Sequence, residues 1–306
     1  MSRVVLLGAG ASFGSVDALP SVPPLGEGLF EALAPRKGLA ASLPEDLKAK
    51  FRTNFEAGMA AFYEYSDGDV MRFQRELAHY MAEFEPGPSN AYIRLIRELG
   101  IVRCTLCTLN YDLLIELSAS RLGINTAYTT APTPGFLRLL KPHGSCNFWP
   151  HMPGVTITNS TFKRSGRADI QAPIRPLTRE ETIRKCVTED SVAPAIAMYA
   201  EGKPVKISPD YVEEQQRMWG QAIAAATRIA IAGARIHPPD AHIWKHRFPN
   251  VSVRWMDTRS SNSNSCGHRR GHKNCYCWSA YPSTGRSHLE TDFYNQRRRV
   301  LFWSKG

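Results

Sequence analysis

Val4-Val5-Leu6-Leu7 is an unbroken apolar run that ends in the turn Gly8-Ala9-Gly10-Ala11-Ser12-Phe13-Gly14. A strand covered on both faces loses the polar alternation of a half-exposed one, so this run predicts a buried parallel strand meeting a glycine turn. Residues 15–28 carry Pro20, Pro23, Pro24, Gly26 and Gly28 and read as loop. From Leu29 to Leu99 the pattern turns helical. Pro44-Glu45-Asp46-Leu47 sets a proline and two acids at a helix start. Met71, Leu77, Tyr80, Met81 and Phe84 recur at helical spacing until Pro86-Gly87-Pro88 stops them, and Ala91 to Leu99 reads as a further helix closed by Gly100.

Ile101 to Leu109 reads as a second core strand, with Asn110-Tyr111-Asp112 at its carboxyl end and an apolar helix expected from Leu113 to Leu122. Phe136 to Leu140 is apolar again and runs into Lys141-Pro142-His143-Gly144-Ser145. Gln221 to Thr227 reads as a helix end, Arg228 to Ala232 as a strand closing on Gly233, and Val251, Val253 and Trp255 alternate as a final strand. From about 150 to 220 prolines are frequent and no period is clean, so this stretch reads as an inserted, partly helical subdomain. Strands alternating with helices predict an α/β chain: a Rossmann-like parallel sheet with helical insertions. Residues 1–257 form one domain in this reading, with 30–99 as its helical insertion and no internal repeat.

Composition adds a boundary. The chain is 43% hydrophobic and 22% charged, which fits a globular protein, and its glycines and prolines follow no collagen-like period. The formal charge is +10, but residues 258–306 hold nine basic and two acidic side chains, so this tail carries most of the excess. The body is therefore not a nucleic-acid surface by charge, and direct nucleic-acid binding is not expected. The tail begins with the low-complexity run Ser260-Ser261-Asn262-Ser263-Asn264-Ser265, and the globular pattern stops after Asp257. It reads as a disordered extension or as the product of a reading-frame shift. Seven scattered cysteines do not form a disulfide framework, and no apolar run suits a membrane span. Arg3 and the run to Ala9 mimic a short signal peptide, but cleavage there would remove the first strand, so a cytoplasmic protein is expected.

Three motifs could carry chemistry. Gly8 to Gly14 lacks bulk where a pyrophosphate could approach, although its spacing is G-x-G-x-x-x-G and no acidic second strand follows, which excludes an ordinary hydride-transfer domain. A tight turn that binds nothing is the alternative. Asn110 could orient a water or a ribose hydroxyl, and Asp112 could accept from a carboxamide; both also suit a helix cap. His143, beside Gly144, could act as a base toward a sugar hydroxyl, or be structural.

The order of these motifs resembles the sirtuin family: Gly8-Ala9-Gly10-Ala11-Ser12, then Thr108-Leu109-Asn110-Tyr111-Asp112, then His143-Gly144. Ile229-Ala230-Ile231-Ala232-Gly233-Ala234-Arg235, followed by Asp240 and His242, looks like that family's late strand and glycine loop near the adenosine of NAD. The resemblance spans residues 1–257. It implies a pyrophosphate cradled by Gly8, Ala9, Gly10, Ala11 and Ser12, with Gly233 also at the cofactor. Asn110 would place water or ribose at the anomeric carbon, His143 would engage the ribose hydroxyls, and Asp112 would hold the nicotinamide carboxamide.

Departures from the deacylating members sharpen the expectation. Their zinc is held by two cysteine pairs after the His-Gly motif, where this chain has only Cys146 and Cys186, so no structural zinc is expected. Cys104 and Cys107, three apart on a strand, should face opposite sides. Cys266, His268, His272, Cys275 and Cys277 in the tail match no zinc module. Pro23-Pro24-Leu25-Gly26 and the helical insertion look instead like the sirtuin-like NAD hydrolases of bacterial antiphage systems. That resemblance implies NAD+ as substrate and no further cofactor. It also implies control through a homo-oligomer or a defence partner, an Argonaute or an ATPase. A protein deacylase and a non-catalytic NAD or ADP-ribose binding module are the rival readings.

Overall fold

A computed structural model of the chain describes residues 2–163, 168–197, 205–234, 240–244, 251–256 and 300–305, the last two stretches by backbone alone. Strand β1 (Arg3–Leu7) runs into the short helix α1 (Ala9–Phe13). After β2 (Ala18–Leu19) comes a helical block: α2 (Gly26–Leu33), α3 (Leu39–Ser42), α4 (Glu45–Thr53), α5 (Phe55–Tyr65) and α6 (Met71–Ala82). β3 (Glu85–Pro86) pairs back onto β2, and α7 (Ala91–Leu99) leads to β4 (Cys104–Thr108). The chain continues through α8 (Leu114–Arg121), β5 (Asn125–Ala127), β6 (Phe136–Leu140), β7 (Phe148–Pro150), β8 (Ile174–Pro176) and α9 (Arg179–Thr188). It ends with α10 (Pro209–Ala225), β9 (Arg228–Ala232), α11 (Ala241–Trp244), β10 (Val251–Met256) and β11 (Val300–Lys305).

Five strands form a parallel sheet in the order β9-β1-β4-β6-β5, flanked by helices: an α/β, Rossmann-like arrangement. β1 lies inside it, between β9 and β4. Val5 and Leu7 join the large core under α2 to α8, whereas Val4 and Leu6 join Met218, Trp219 and Ile223 of α10 on the opposite face. Burial on both faces explains the unbroken apolar run. Cys104 falls on the first face and Cys107 on the second, so the two thiols are separated by the sheet. In the helical block, Phe51 stacks between Phe30 and Phe73 at centroid distances of 4.7 and 5.3 Å, which ties α4 to α2 and α6.

Local signals set several ends. Asn90 accepts from the Tyr92 amide at the start of α7, and Thr178 with Glu181 forms a capping box on α9. Other expectations need correction. Gly26 and Gly28 lie in the first turn of α2 rather than in loop, because burial of Leu29, Phe30 and Leu33 outweighs glycine's poor helix propensity. The second core strand begins only at Cys104: Arg103, at φ +53°, turns the chain into it. β10 is not the final strand, since β11 lies between it and β9 and runs antiparallel to both. Residues 257–299 of the tail, with their zinc-type cysteines and histidines, lie outside the described residues. Among the described residues no helix is long and apolar enough to cross a membrane.

Candidate functional site

Four loops leave the carboxyl ends of β9, β1, β4 and β6, which are neighbours in the sheet. Leu7 pairs with Thr108 and with Ala232, and Cys107 pairs with Leu140, so the strands end level. Gly233, Gly8, Leu109 and Lys141 therefore begin their loops side by side, with Asn110 one residue into the loop after β4. Open parallel sheets place their ligands at this edge, next to the strand where the winding reverses, here β1.

The two glycine loops are packed on each other. Gly8 N–H donates to Ala232 O and Gly10 N–H to Gly233 O, both at 2.9 Å, while Ala11 N–H donates to Gly8 O at 2.8 Å. Gly233 holds φ +61°, and a β-carbon there would collide with the Ala11 amide nitrogen. A β-carbon on Gly8 would lie 2.6 Å from the Ala234 α-carbon. Glycine is thus needed for chain against chain. Three of the five amides expected at a pyrophosphate are already donated internally, so the turn offers closeness of approach more than hydrogen bonds. Within Gly8–Ser12 only Ala9 is exposed.

Asn110, Asp112, Ser12 and Tyr92 form one buried network. Asn110 Nδ2 donates to Gly8 O at 3.0 Å and to Ser12 Oγ at 2.7 Å. Ser12 Oγ spends its only hydrogen on Asp112 Oδ2 at 2.9 Å, so the Tyr92 hydroxyl, also at 2.9 Å, must donate to it. Both Nδ2 hydrogens being used, Oδ1 is the atom of Asn110 able to take a hydrogen bond from a ribose hydroxyl or a water. Asp112 also performs the helix-start role, with Oδ1 accepting from Leu114 N at 3.0 Å. Burial pushes the Asp112 carboxyl above its ordinary range, and the nearby Lys141 ammonium pulls it partway back.

Lys141 is the residue the sequence did not flag. It is fully buried, and its Nζ donates to Asp112 O at 2.6 Å and Ser145 Oγ at 2.8 Å and pairs with Glu116 Oε1 at 2.8 Å. Its backbone N–H donates to Gln215 of α10. The 141–145 turn is thereby clamped to the end of β4, and Cys146 N–H donates to Tyr111 O across the same join. Gly144, at φ +78°, lets the turn pack on Ala195, and His143 O accepts from Ala197 N at 2.9 Å.

His143 is 4% exposed, and its Nε2 lies 3.2 Å from Oδ1 of Asp240, itself 6% exposed. The His242 ring packs beside it, centroid to centroid 5.1 Å. Sequence reading noted Asp240 and His242 only as part of a resemblance; nothing local announced their contact with His143. Elsewhere, burial pushes the thiols of Cys104, Cys107 and Cys146 upward, which keeps them protonated and unreactive.

No family model matches this chain, and no curated protein matches it either.

Proposed function

We propose that the chain is a sirtuin-like NAD+ hydrolase that cleaves the nicotinamide–ribose bond to give nicotinamide and ADP-ribose. The observation that carries the reading is the meeting of the two glycine turns, Asn110 and His143 at one sheet edge, from four segments far apart in the sequence. Nicotinamide leaves from a cationic ring, so no strong acid is required. An oxocarbenium-like ribose must instead be held and offered a water. Asn110 Oδ1 suits the placing of that water or a ribose hydroxyl, and its Nδ2 anchors keep it still. His143 faces the ribose hydroxyls in this reading, Asp112 lies toward the carboxamide, and the unbulky Gly8–Ser12 and Gly233 turns admit the pyrophosphate. An enzyme of this activity kills its host unless restrained. The role is therefore an NAD-depleting antiphage effector in the cytoplasm, held off until an oligomer or a partner such as an Argonaute or ATPase releases it.

A non-catalytic NAD or ADP-ribose binding module is the second reading. It is favoured by the internal use of the Asn110 amide and both Asp112 oxygens.

Product analysis separates these. NAD+ is incubated with the protein, purified or in extract of infected cells, with and without an acetyl-lysine peptide. Equal amounts of nicotinamide and ADP-ribose, indifferent to peptide, support the hydrolase. Peptide-dependent acyl-ADP-ribose identifies a deacylase, and bound but intact NAD+ in both settings identifies the binding module.

A further inference from the structure

We propose that His143, Asp240 and His242 form a binding site for one divalent transition-metal ion, zinc first. The site goes beyond the hydrolase reading and does not depend on it. Its side chains come from the loops after β6 and β9, strands that β4 and β1 separate in the sheet. One donor atom from each lies within 4.8 Å of the other two. Donors about 2.1 Å from a shared ion stand about 3.0–3.4 Å apart when adjacent. His143 Nε2 lies 3.2 Å from Asp240 Oδ1, and the His242 ring stands beside the His143 ring, tilted by 51°. Spacing alone does not produce this. Residues two apart on a helix do not face each other, yet Asp240, just before α11, and His242, within it, both approach His143. One imidazole is enough to balance a buried carboxylate; a second ring drawn to the same point is what a shared ion requires.

The frame is held in both loops. His143 O accepts from Ala197 N at 2.9 Å, and Gly144 packs on Ala195. Fully buried Ile243, next to His242, accepts through its carbonyl from Trp219 Nε1 of α10 at 3.1 Å. The donor set selects the ion. Two imidazoles and a carboxylate suit zinc and its transition-metal neighbours, whereas Mg2+ and Ca2+ take oxygen. Three protein donors leave a position open for a water or a ligand hydroxyl. In the hydrolase reading that position falls where the ribose hydroxyls meet His143. His143 and Asp240 are buried, and half-buried His242 gives the ion its way in. A bound ion ties the β6 and β9 loops together at the sheet edge.

The test uses the full chain, stripped with a chelator and titrated with Zn2+ or Co2+ alone. A Cys266→Ser/Cys275→Ser/Cys277→Ser background removes the tail thiols from the competition. The proposal expects one ion per chain, a melting temperature that rises with metal, and Co2+ absorption without sulfur charge transfer. Asp240→Asn and His242→Gln should each weaken binding at least about 100-fold. His242→Cys, which restores a donor, should bind Co2+ and add a sulfur-to-cobalt charge-transfer band. No stoichiometric uptake in this background overturns the proposal. So does unchanged affinity in either Asp240→Asn or His242→Gln, or a His242→Cys chain without the new band. A chain that binds the ion and never cleaves NAD+ keeps the site and sinks the hydrolase reading.

Discussion

Lys141 Nζ donates to the carbonyl oxygen of Asp112 at 2.6 Å and so fastens the turn bearing His143 to the strand end bearing Asn110. The same ammonium pairs with Glu116 Oε1 and bonds Ser145 Oγ, with no exposure to solvent. Removing one member of a buried pair leaves the other's charge uncompensated, which is the costly way to break it. Lys141→Met should lower unfolding stability by about 3 kcal/mol in urea titration. Adding Glu116→Gln should restore part of that loss, because the stranded carboxylate is gone.

Gly233 and Gly123 share a left-handed backbone, at φ +61° and +71°, but only Gly233 has a neighbour where a β-carbon would stand. Gly123→Ala should therefore cost only the conformational penalty, about 1 kcal/mol. Gly233→Ala should cost more than twice as much in the same denaturation assay. It should also weaken NAD+ binding measured by calorimetry, because the Gly8–Ser12 turn, whose Ala11 amide meets the new β-carbon, must move away from residue 233 to make room.

Burial raises the Asp112 carboxyl in the folded chain. A carboxyl with a raised folded value binds its proton more tightly when folded, so its stabilising contribution is complete below the unfolded value, about 3.9. That contribution is lost as pH rises through the folded value. The difference in melting temperature between wild type and Asp112→Asn should accordingly be most favourable to wild type in acid and decline toward neutral pH. A difference that grows with pH would show the opposite shift.

Much of the sheet edge was legible because each of its strands is a short apolar run ending in an unusual polar or glycine residue. Arg228–Ala232 was placed to the residue. What the sequence hid was long-range. Lys141 looks like a surface cation after a strand, and only the fold brings Asp112, Ser145 and Glu116 around it. α10 lost its period to Gln215, a buried amide that spans Lys141 N and Tyr128 O, so only the end of this 17-residue helix, from Gln221, was read as helix and its start was left in a stretch without a clean period. The amides of Gly8, Gly10 and Ala11 looked available for phosphate because nothing local shows Gly233 folding onto them. Asp240 met His143 for the same reason.

The most direct measurement is the rate of nicotinamide release from NAD+ by the wild type, Asn110→Ala and His143→Ala, side by side and with NAD+ affinity measured on each. Wild-type turnover that falls at least about 100-fold in both variants, with binding kept within about threefold in His143→Ala, is the outcome this site predicts. Either variant releasing nicotinamide at the wild-type rate would contradict it, as would a wild type that binds NAD+ and leaves it whole in purified form and in infected-cell extract.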